Sequence, residues 1–280
     1  MKLKAWLSKN KAAFRANDLS FIFKTIFKQN ILFLQELVLT PAQAKCLEKV
    51  KREYRQGIPL AYSLGKEEFY GLEFKINKNV LVPRPETEIL VEKALEIVAG
   101  AGHDQPVKVL DLCCGSGAIA VAVKKFSKQK VVVTATDLSE KALSLARDNA
   151  RLNKVAIKFL HGDLFTPLKN KKFDLIVSNP PYVAGKDIHG TLLYEPRLAL
   201  YAADDGLAII KKIITQAQGF LKPRATLMIE VGFNQRKAID KFLTGVSFYT
   251  KPFWCKDYLG HDRVVCLQEK YSLQQNYSAL

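Results

Sequence analysis

The sequence predicts an α/β fold. A mostly parallel, seven-stranded sheet is covered by helices on both faces and ends in an antiparallel edge pair, behind a small N-terminal helical bundle and a β-hairpin linker. Three observations carry this. From residue 86 onward, apolar runs of strand length alternate with helical patterns, which is the signature of parallel strands joined by crossover helices. The last two runs, "VSFYTKPF" and "RVVCLQ", have too little chain between them for a crossover, so they pair antiparallel. Between Ala5 and about Gln56 the apolar residues recur at helical spacing, as in "FIFKTIFKQNILFLQELVL".

In chain order, Thr40 and Pro41 stand at the N-cap and first-turn positions of a helix. After Gln56, Gly and Pro punctuate short β-rich runs, and "EEFYGLEFKI" followed by "NVLVP" reads as a hairpin turned at Asn77 to Asn79. A helix from about Thr87 to Val98 precedes strand "VKVLDL". Then follow helix "GAIAVAVKKF", strand "VVVTATD", helix "EKALSLARDNARL" and strands "AIKFLHG" and "FDLIVSN". Helix "LAIIKKIITQAQGFL", strand "TLMIEV" and a helix near 235 to 243 lead to the closing pair. The expected domains are residues 1–66 for the helical bundle, 67–85 for the hairpin linker and 86–280 for the α/β unit.

Composition narrows the class. An apolar fraction of 48% and a charged fraction of 25% are globular values. No run is long and apolar enough to span a membrane, and the N-terminus lacks the apolar block of a signal peptide, so a soluble, cytoplasmic protein is expected. Five scattered cysteines without CxxC spacing argue for free thiols and no metal site. The net charge of +16 is uneven: residues 1 to 66 hold 13 Lys and Arg against 4 Asp and Glu. A basic module of that kind suits a partner of negative charge, although a solvated helical surface reads the same way.

"VLDLCCGSGAIA" places Asp111 at the end of a strand and Gly115 and Gly117 in the turn entering a helix, where glycine permits close approach by a ligand. The third glycine of a dinucleotide-binding loop is missing. The next strand ends in Asp137, 22 residues beyond Gly115, where an acid suits ribose hydroxyls. Asp163 and Leu164 follow the third strand. Each acid taken singly reads more readily as an N-cap or turn residue, but three at successive strand ends form a register that reverses this. This pattern resembles the acidic, Gly-rich motifs of class I S-adenosylmethionine-dependent methyltransferases, whose fold is Rossmann-like.

In "VSNPPY", Pro180 and Pro181 stop the strand and stiffen the loop that follows it. The Asn179 side-chain carbonyl and the Pro180 main-chain carbonyl are two acceptors suited to a planar NH2 group, and Tyr182 can stack on its face. Such a nitrogen is a poor nucleophile and has to be aligned with the methyl donor. The alternative is a plain Pro-Pro turn with Tyr182 in the core.

"NPPY" is shared by N-methyltransferases acting on adenine, cytosine and glutamine amides. With "PLAYSLGKEEFYG", "VLVPRPETEILVE", "YEPRLAL", "DDGL", "EVGFNQ" and "KDYLGHDRVV" in order, nearly the whole chain resembles the HemK-type peptide chain release factor glutamine methyltransferases. The resemblance implies methyl transfer from S-adenosyl-L-methionine, with S-adenosyl-L-homocysteine as product, to N5 of the glutamine in the Gly-Gly-Gln tip of class I release factors. It implies a monomer with no obligatory nucleic acid, whose N-terminal domain docks the substrate. By motif, Asp111, Cys113, Cys114, Gly115, Ser116, Gly117, Asp137, Asp163, Leu164 and Asn179 would hold the cofactor. Asn179, Pro180, Pro181 and Tyr182 would hold the glutamine, with catalysis assigned to Asn179, Pro180 and Tyr182. Arg84, Thr87 and Glu88 of "PRPETE" would shape the pocket wall, or simply start a helix.

Two departures stand out. Cys113 replaces a glycine common in the family, which requires a negative φ there. The segment from Val183 to Leu193 lacks the usual acids. Rival readings are a ribosomal protein glutamine methyltransferase, a nucleic-acid adenine N6-methyltransferase, which would need base extrusion, and a ribosome-binding protein with a vestigial site.

Overall fold

The computed structural model describes residues 2–28, 37–101 and 105–270. Helices α1 (Leu3–Asn10), α2 (Ala16–Phe27) and α3 (Pro41–Arg55) pack around Leu3, Trp6, Ile22, Phe23, Leu47 and Val50, a core separate from those of the sheet. The predicted start of α3 is present as a reciprocal capping box. The Gln43 N–H donates to Thr40 Oγ1 at 3.2 Å, and the Thr40 N–H donates to Gln43 Oε1 at 2.9 Å. The rest of the expected apolar periodicity, over residues 29–36, lies outside the described residues.

The linker differs from expectation in three ways. Leu60–Leu64, in a stretch read as β-rich, is a short helix (α4). The hairpin pairs β1 (Lys66–Phe69) with β2 (Leu72–Lys75) and turns at Tyr70 and Gly71, not at Asn77 to Asn79. Both turn residues have positive φ, 51° and 71°, which gives the twist that closes a two-residue hairpin. "NVLVP" is therefore not a strand. It runs irregularly behind the hairpin, held where the Tyr62 hydroxyl donates to the Val80 carbonyl at 2.7 Å.

A turn of 3-10 helix, Pro85–Thr87, leads into α5 (Glu88–Gly100). There follow β3 (Val107–Leu112), α6 (Ala118–Phe126), β4 (Val131–Asp137), α7 (Glu140–Leu152), β5 (Lys158–His161) and β6 (Phe173–Ser178). Then come α8 (Arg197–Leu200), α9 (Ala208–Ala217), β7 (Leu221–Glu230), α10 (Arg236–Leu243), β8 (Phe253–Lys256) and β9 (Asp262–Gln268). The larger sheet has seven strands in the order β5-β4-β3-β6-β7-β9-β8, with β5 to β7 parallel and β9 antiparallel to both neighbours. The expected strand "VSFYTKPF" forms only from Phe253, because Tyr249 makes an isolated bridge to Glu269 and Pro252 removes a donor. Strand β7 begins earlier than "TLMIEV" suggests; Pro223 and the positive φ of Arg224, 63°, disguise its first half.

Alternation along the central strands explains why the sheet is buried on both sides. Val109, Leu175 and Val177 join the cluster under α5, α6 and α7, while Leu110, Leu112 and Ile176 join the cluster under α9 and α10. Strand order reverses between β3 and β6. The crevice outside the C-terminal ends of parallel strands at such a switch point is where ligands bind in open α/β sheets.

Candidate functional site

A cleft of about 300 Å3 opens at that switch point. Its floor is the turn after β3 and its far wall the turns after β4 and β5, with Leu138, Ala142, Leu164 and Ile209 giving it an apolar lining. The expected residues Cys113, Cys114, Gly115, Ser116, Asp137, Asp163, Leu164, Thr87, Asn179 and Pro181 all line it.

The turn is held from beneath. Asp111 lies under the loop rather than in the cleft, fully buried, with Oδ2 accepting from the Ala120 N–H at 3.0 Å and Oδ1 without a partner among the described residues. Burial, reinforced by the charge of Asp137, pushes its carboxyl up to about 8. Gly117 caps α6 against Ala146 and faces away from the cleft. Asn149, buried on α7, donates to the Ser116 carbonyl at 2.9 Å and ties the same turn to Lys75 of the hairpin. Cys113 has a φ of 58°, against the negative value expected of a side-chain-bearing residue. An unbranched thiol is tolerated in this left-handed conformation at a cost of about 1–2 kcal/mol. Cys113 lines the cleft while packing partly against the core, and the loss of solvent around the thiol, with the charge of Asp137 next, raises its pKa.

Asp137 accepts from the Gly115 N–H and the Ser139 N–H, each at 2.8 Å, and remains half-exposed to the cleft with lone pairs to spare. A side chain at Gly115 would meet nothing within 4 Å, so the loop surface above it is open. An open glycine, a carboxylate with spare acceptor capacity and an apolar slot together fit a nucleoside whose ribose hydroxyls need an acceptor. Asp163 is paired with Lys212 at 2.5 Å.

The loop after β6 forms the near wall. The Asn179 Nδ2 group donates to Thr87 Oγ1 at 3.1 Å, which turns Oδ1 the other way. Among the described residues nothing donates to Asn179 Oδ1 or to the Pro180 carbonyl. Tyr182 is half-buried and packs on the core, its hydroxyl donating to Glu230 Oε1 at 3.0 Å. Burial, with Glu230 adding to it, raises the pKa of that phenol. Neither Tyr182 nor Pro180 contributes to the cleft lining.

Arg84 and Glu88 also sit outside the cleft. Arg84 is ion-paired to Glu195, whose other oxygen accepts from the Val82 N–H at 3.1 Å, so "PRP" and "YEPR" clamp the linker to the segment before α8. Glu88 accepts from the Tyr70 N–H at 2.7 Å and fixes the hairpin turn.

Several residues important to the loop escaped the sequence reading of the site. Gln235 of "EVGFNQ" donates to the Tyr182 carbonyl at 3.0 Å. Gly206 of "DDGL" lies against that carbonyl so closely that a Cβ would come within 2.1 Å of it. Asn79 and Val80 line the cleft from the segment misread as a strand, and Lys78 lines it from the turn expected before that strand. Glu230 is the clearest omission, and its signal is a lone acid in the apolar run "TLMIEV".

The Methyltransferase small domain model matches residues 87–198, the stretch that carries this cleft. A methyltransferase from Pyrococcus furiosus shares the fold, with a TM-score of 0.54 over 83% of this chain and 100% of that one at 17% identity. The fold is that of a class I methyltransferase. More narrowly, the chain is 35% identical over 262 residues to the release factor glutamine methyltransferase of Streptococcus pneumoniae, covering 91% of this chain and 92% of that protein. It is 40% identical over 245 residues to that of Vibrio cholerae, covering 86% and 84%. The chain belongs to the release factor glutamine methyltransferase family.

Proposed function

We propose that the protein transfers a methyl group from S-adenosyl-L-methionine to the side-chain nitrogen, N5, of the glutamine in the Gly-Gly-Gln motif of class I peptide chain release factors. The observation that supports it best is the orientation of Asn179. Its NH2 is spent on Thr87, which leaves Oδ1 and the neighbouring Pro180 carbonyl as two open acceptors for the two hydrogens of a primary amide.

When bound, S-adenosylmethionine supplies an electrophilic methyl on a sulfonium centre. Asp137 would accept from its ribose, the residues from Cys113 to Ser116 would lie along it, and Leu164 would cover its base. The rest is positioning. An amide nitrogen has a delocalised lone pair, so catalysis depends on holding it in line with the donor, and two converging acceptors on a proline-stiffened loop do this at little entropic cost. Tyr182 contributes by bracing that loop through Glu230. Leu198 and Tyr201, exposed at the cleft, would meet the incoming tip of the release factor. The basic helices α1 to α3 would dock its body as a module of their own.

Replacing Asn179 with Ala tests this reading. Turnover should fall at least a hundredfold while cofactor affinity, measured by calorimetry, stays within a few fold. Unchanged turnover removes Asn179 from the mechanism.

A further inference from the structure

We infer that Gln235 is a positioning residue for methyl transfer: by holding the Tyr182 main-chain carbonyl it fixes the direction of the Pro180 carbonyl, the second acceptor for the substrate amide. This rests on the reading of Asn179 and Pro180 given above.

Two stretches outside the cleft, "DDGL" and "EVGFNQ", meet at this point. Gln235 lies between β7 and α10, is 7% exposed, and has both ends of its side-chain amide engaged. Oε1 accepts from the Gly232 N–H at 2.8 Å, and Nε2 donates to the Tyr182 carbonyl at 3.0 Å and to the Asp205 carbonyl at 3.3 Å. All three partners are main-chain groups with fixed roles, so the amide has one orientation: turned over, it would set donor against donor and acceptor against acceptor. Three loops are thereby joined, the one after β6 that carries Asn179, the one between α8 and α9, and the one after β7.

The surrounding backbone is shaped to the same contact. Asp204, Asp205 and Gly206 follow one another with left-handed φ values of 58°, 49° and 87°. Side chains resist that conformation, and a succession of such residues persists only where neighbours hold it. Here it brings the Asp205 carbonyl to Gln235 and lays Gly206 against the Tyr182 carbonyl. A Cβ on Gly206 would come within 2.1 Å of that oxygen and 2.6 Å of Gln235 Nε2. A Cβ on Gly232 would press on Gln235 Cδ and Oε1, each at 3.2 Å. The glycines of both stretches keep clear the space that Gln235 uses.

The effect on Pro180 follows from the torsions left free. The two prolines fix φ at 180 and 181. Before them the chain is anchored by β6 and by the bond from Asn179 Nδ2 to Thr87 Oγ1 at 3.1 Å. After them the Val183 N–H donates to the Leu200 carbonyl at 2.8 Å, and the Ala202 N–H donates to the Val183 carbonyl at 3.0 Å. The freedom that remains is rotation of the peptide planes between Pro180 and Val183, and Gln235 stops it at the Tyr182 carbonyl. Such rotation changes the angle between the Pro180 carbonyl and Asn179 Oδ1, and with it the line from the substrate nitrogen to the methyl donor.

The test uses two variants of the full chain. Gln235→Met keeps the length of the side chain and removes its hydrogen bonds; Gln235→Asn keeps an amide but is one methylene too short to reach Tyr182. Both should lose about tenfold in kcat on an unmodified release factor, because the amide is still bound but no longer held in line. KM should rise by no more than about threefold, since one hydrogen bond exchanged for water is a small part of the contact with a protein-sized substrate. Cofactor Kd, from calorimetry, should stay unchanged, because neither Gln235 nor its three partners line the cleft. A second readout needs no turnover. The sequence contains a single Pro-Pro step, so with 13C-carbonyl and 15N labels in proline the Pro180 carbonyl is the one carbon coupled to a labelled nitrogen. Its signal should move or split in both variants. Full kcat in either variant overturns the proposal, and so does an unmoved Pro180 signal. A loss of cofactor binding equal to the loss in kcat marks a merely structural role and overturns it too. If one variant folds poorly, the other carries the comparison. If wild type methylates no release factor, the functional reading fails by itself, and the Pro180 signal decides the positioning claim alone.

Discussion

At the scale of single residues, the site shows which side chains act on a ligand and which act on the loop. Asp111 and Asp137 both end strands and look alike in the sequence, yet one is sealed under the turn and the other half-open to the cleft. Position at a strand end was legible; the depth of each acid was not, because it depends on the helix that closes over it. Glu230 was hidden for the same reason, since its hydrogen-bond partner Tyr182 is far from it in sequence. Cys113 allows a direct check of backbone strain. Its left-handed φ of 58° should make Cys113→Gly more stable by up to about 1 kcal/mol, less than the full left-handed cost because glycine also loosens the unfolded chain. Chemical denaturation of both proteins measures this, and a clear loss of stability in the variant would mean that thiol packing outweighs the strain.

At the scale of elements, strands and helices with strong periodicity were legible from β3 to β6, where a run buried on both faces can hardly be anything but a central strand. The errors fall where a local signal misleads. "NKN" resembles a turn more than "YG" does, but Tyr70 accepts a positive φ because Glu88 holds its N–H. The segment released from strand duty became a wall of the cleft. Its anchor is the pair of Arg84 with Glu195, whose carboxylate is buried while Arg84 keeps about a third of its side chain in water. Glu195→Ala removes this pair and strands the Val82 N–H, so it should cost about 2 kcal/mol, below the loss expected for a fully buried pair because Arg84 can rehydrate. Cofactor affinity should weaken with it, as Val80, Leu81 and Pro83 lose their anchor at the cleft. Calorimetry on the variant checks both, and unchanged affinity would show that the wall stands without the clamp.

For the whole molecule, two buried acids link stability to pH. Asp111 and Glu230 have folded-state pKa values raised to about 8 and about 7, above the roughly 4 expected of unfolded carboxylates. The folded protein therefore binds more protons than the unfolded chain between these limits, and the contribution of this pair to stability falls as pH rises from about 4 to 8. Asp111→Asn should flatten that slope in urea titrations across the range; an unchanged slope would assign it to other groups. The excess positive charge of the N-terminal region is the other global feature. Lys45, Lys49 and Arg52 project from one exposed face of α3, and reversing all three to Glu should raise KM for a release factor severalfold with kcat unchanged. An unaltered KM would remove that face from docking. The central claim joins fold, cofactor, atom and substrate, and one measurement reaches all four: mass spectrometry of an unmodified class I release factor after incubation with the protein and S-adenosylmethionine, with the modified residue located by fragmentation. A single methyl on the glutamine of the Gly-Gly-Gln motif is the predicted result, and an unmodified glutamine, with cofactor binding intact, would contradict it.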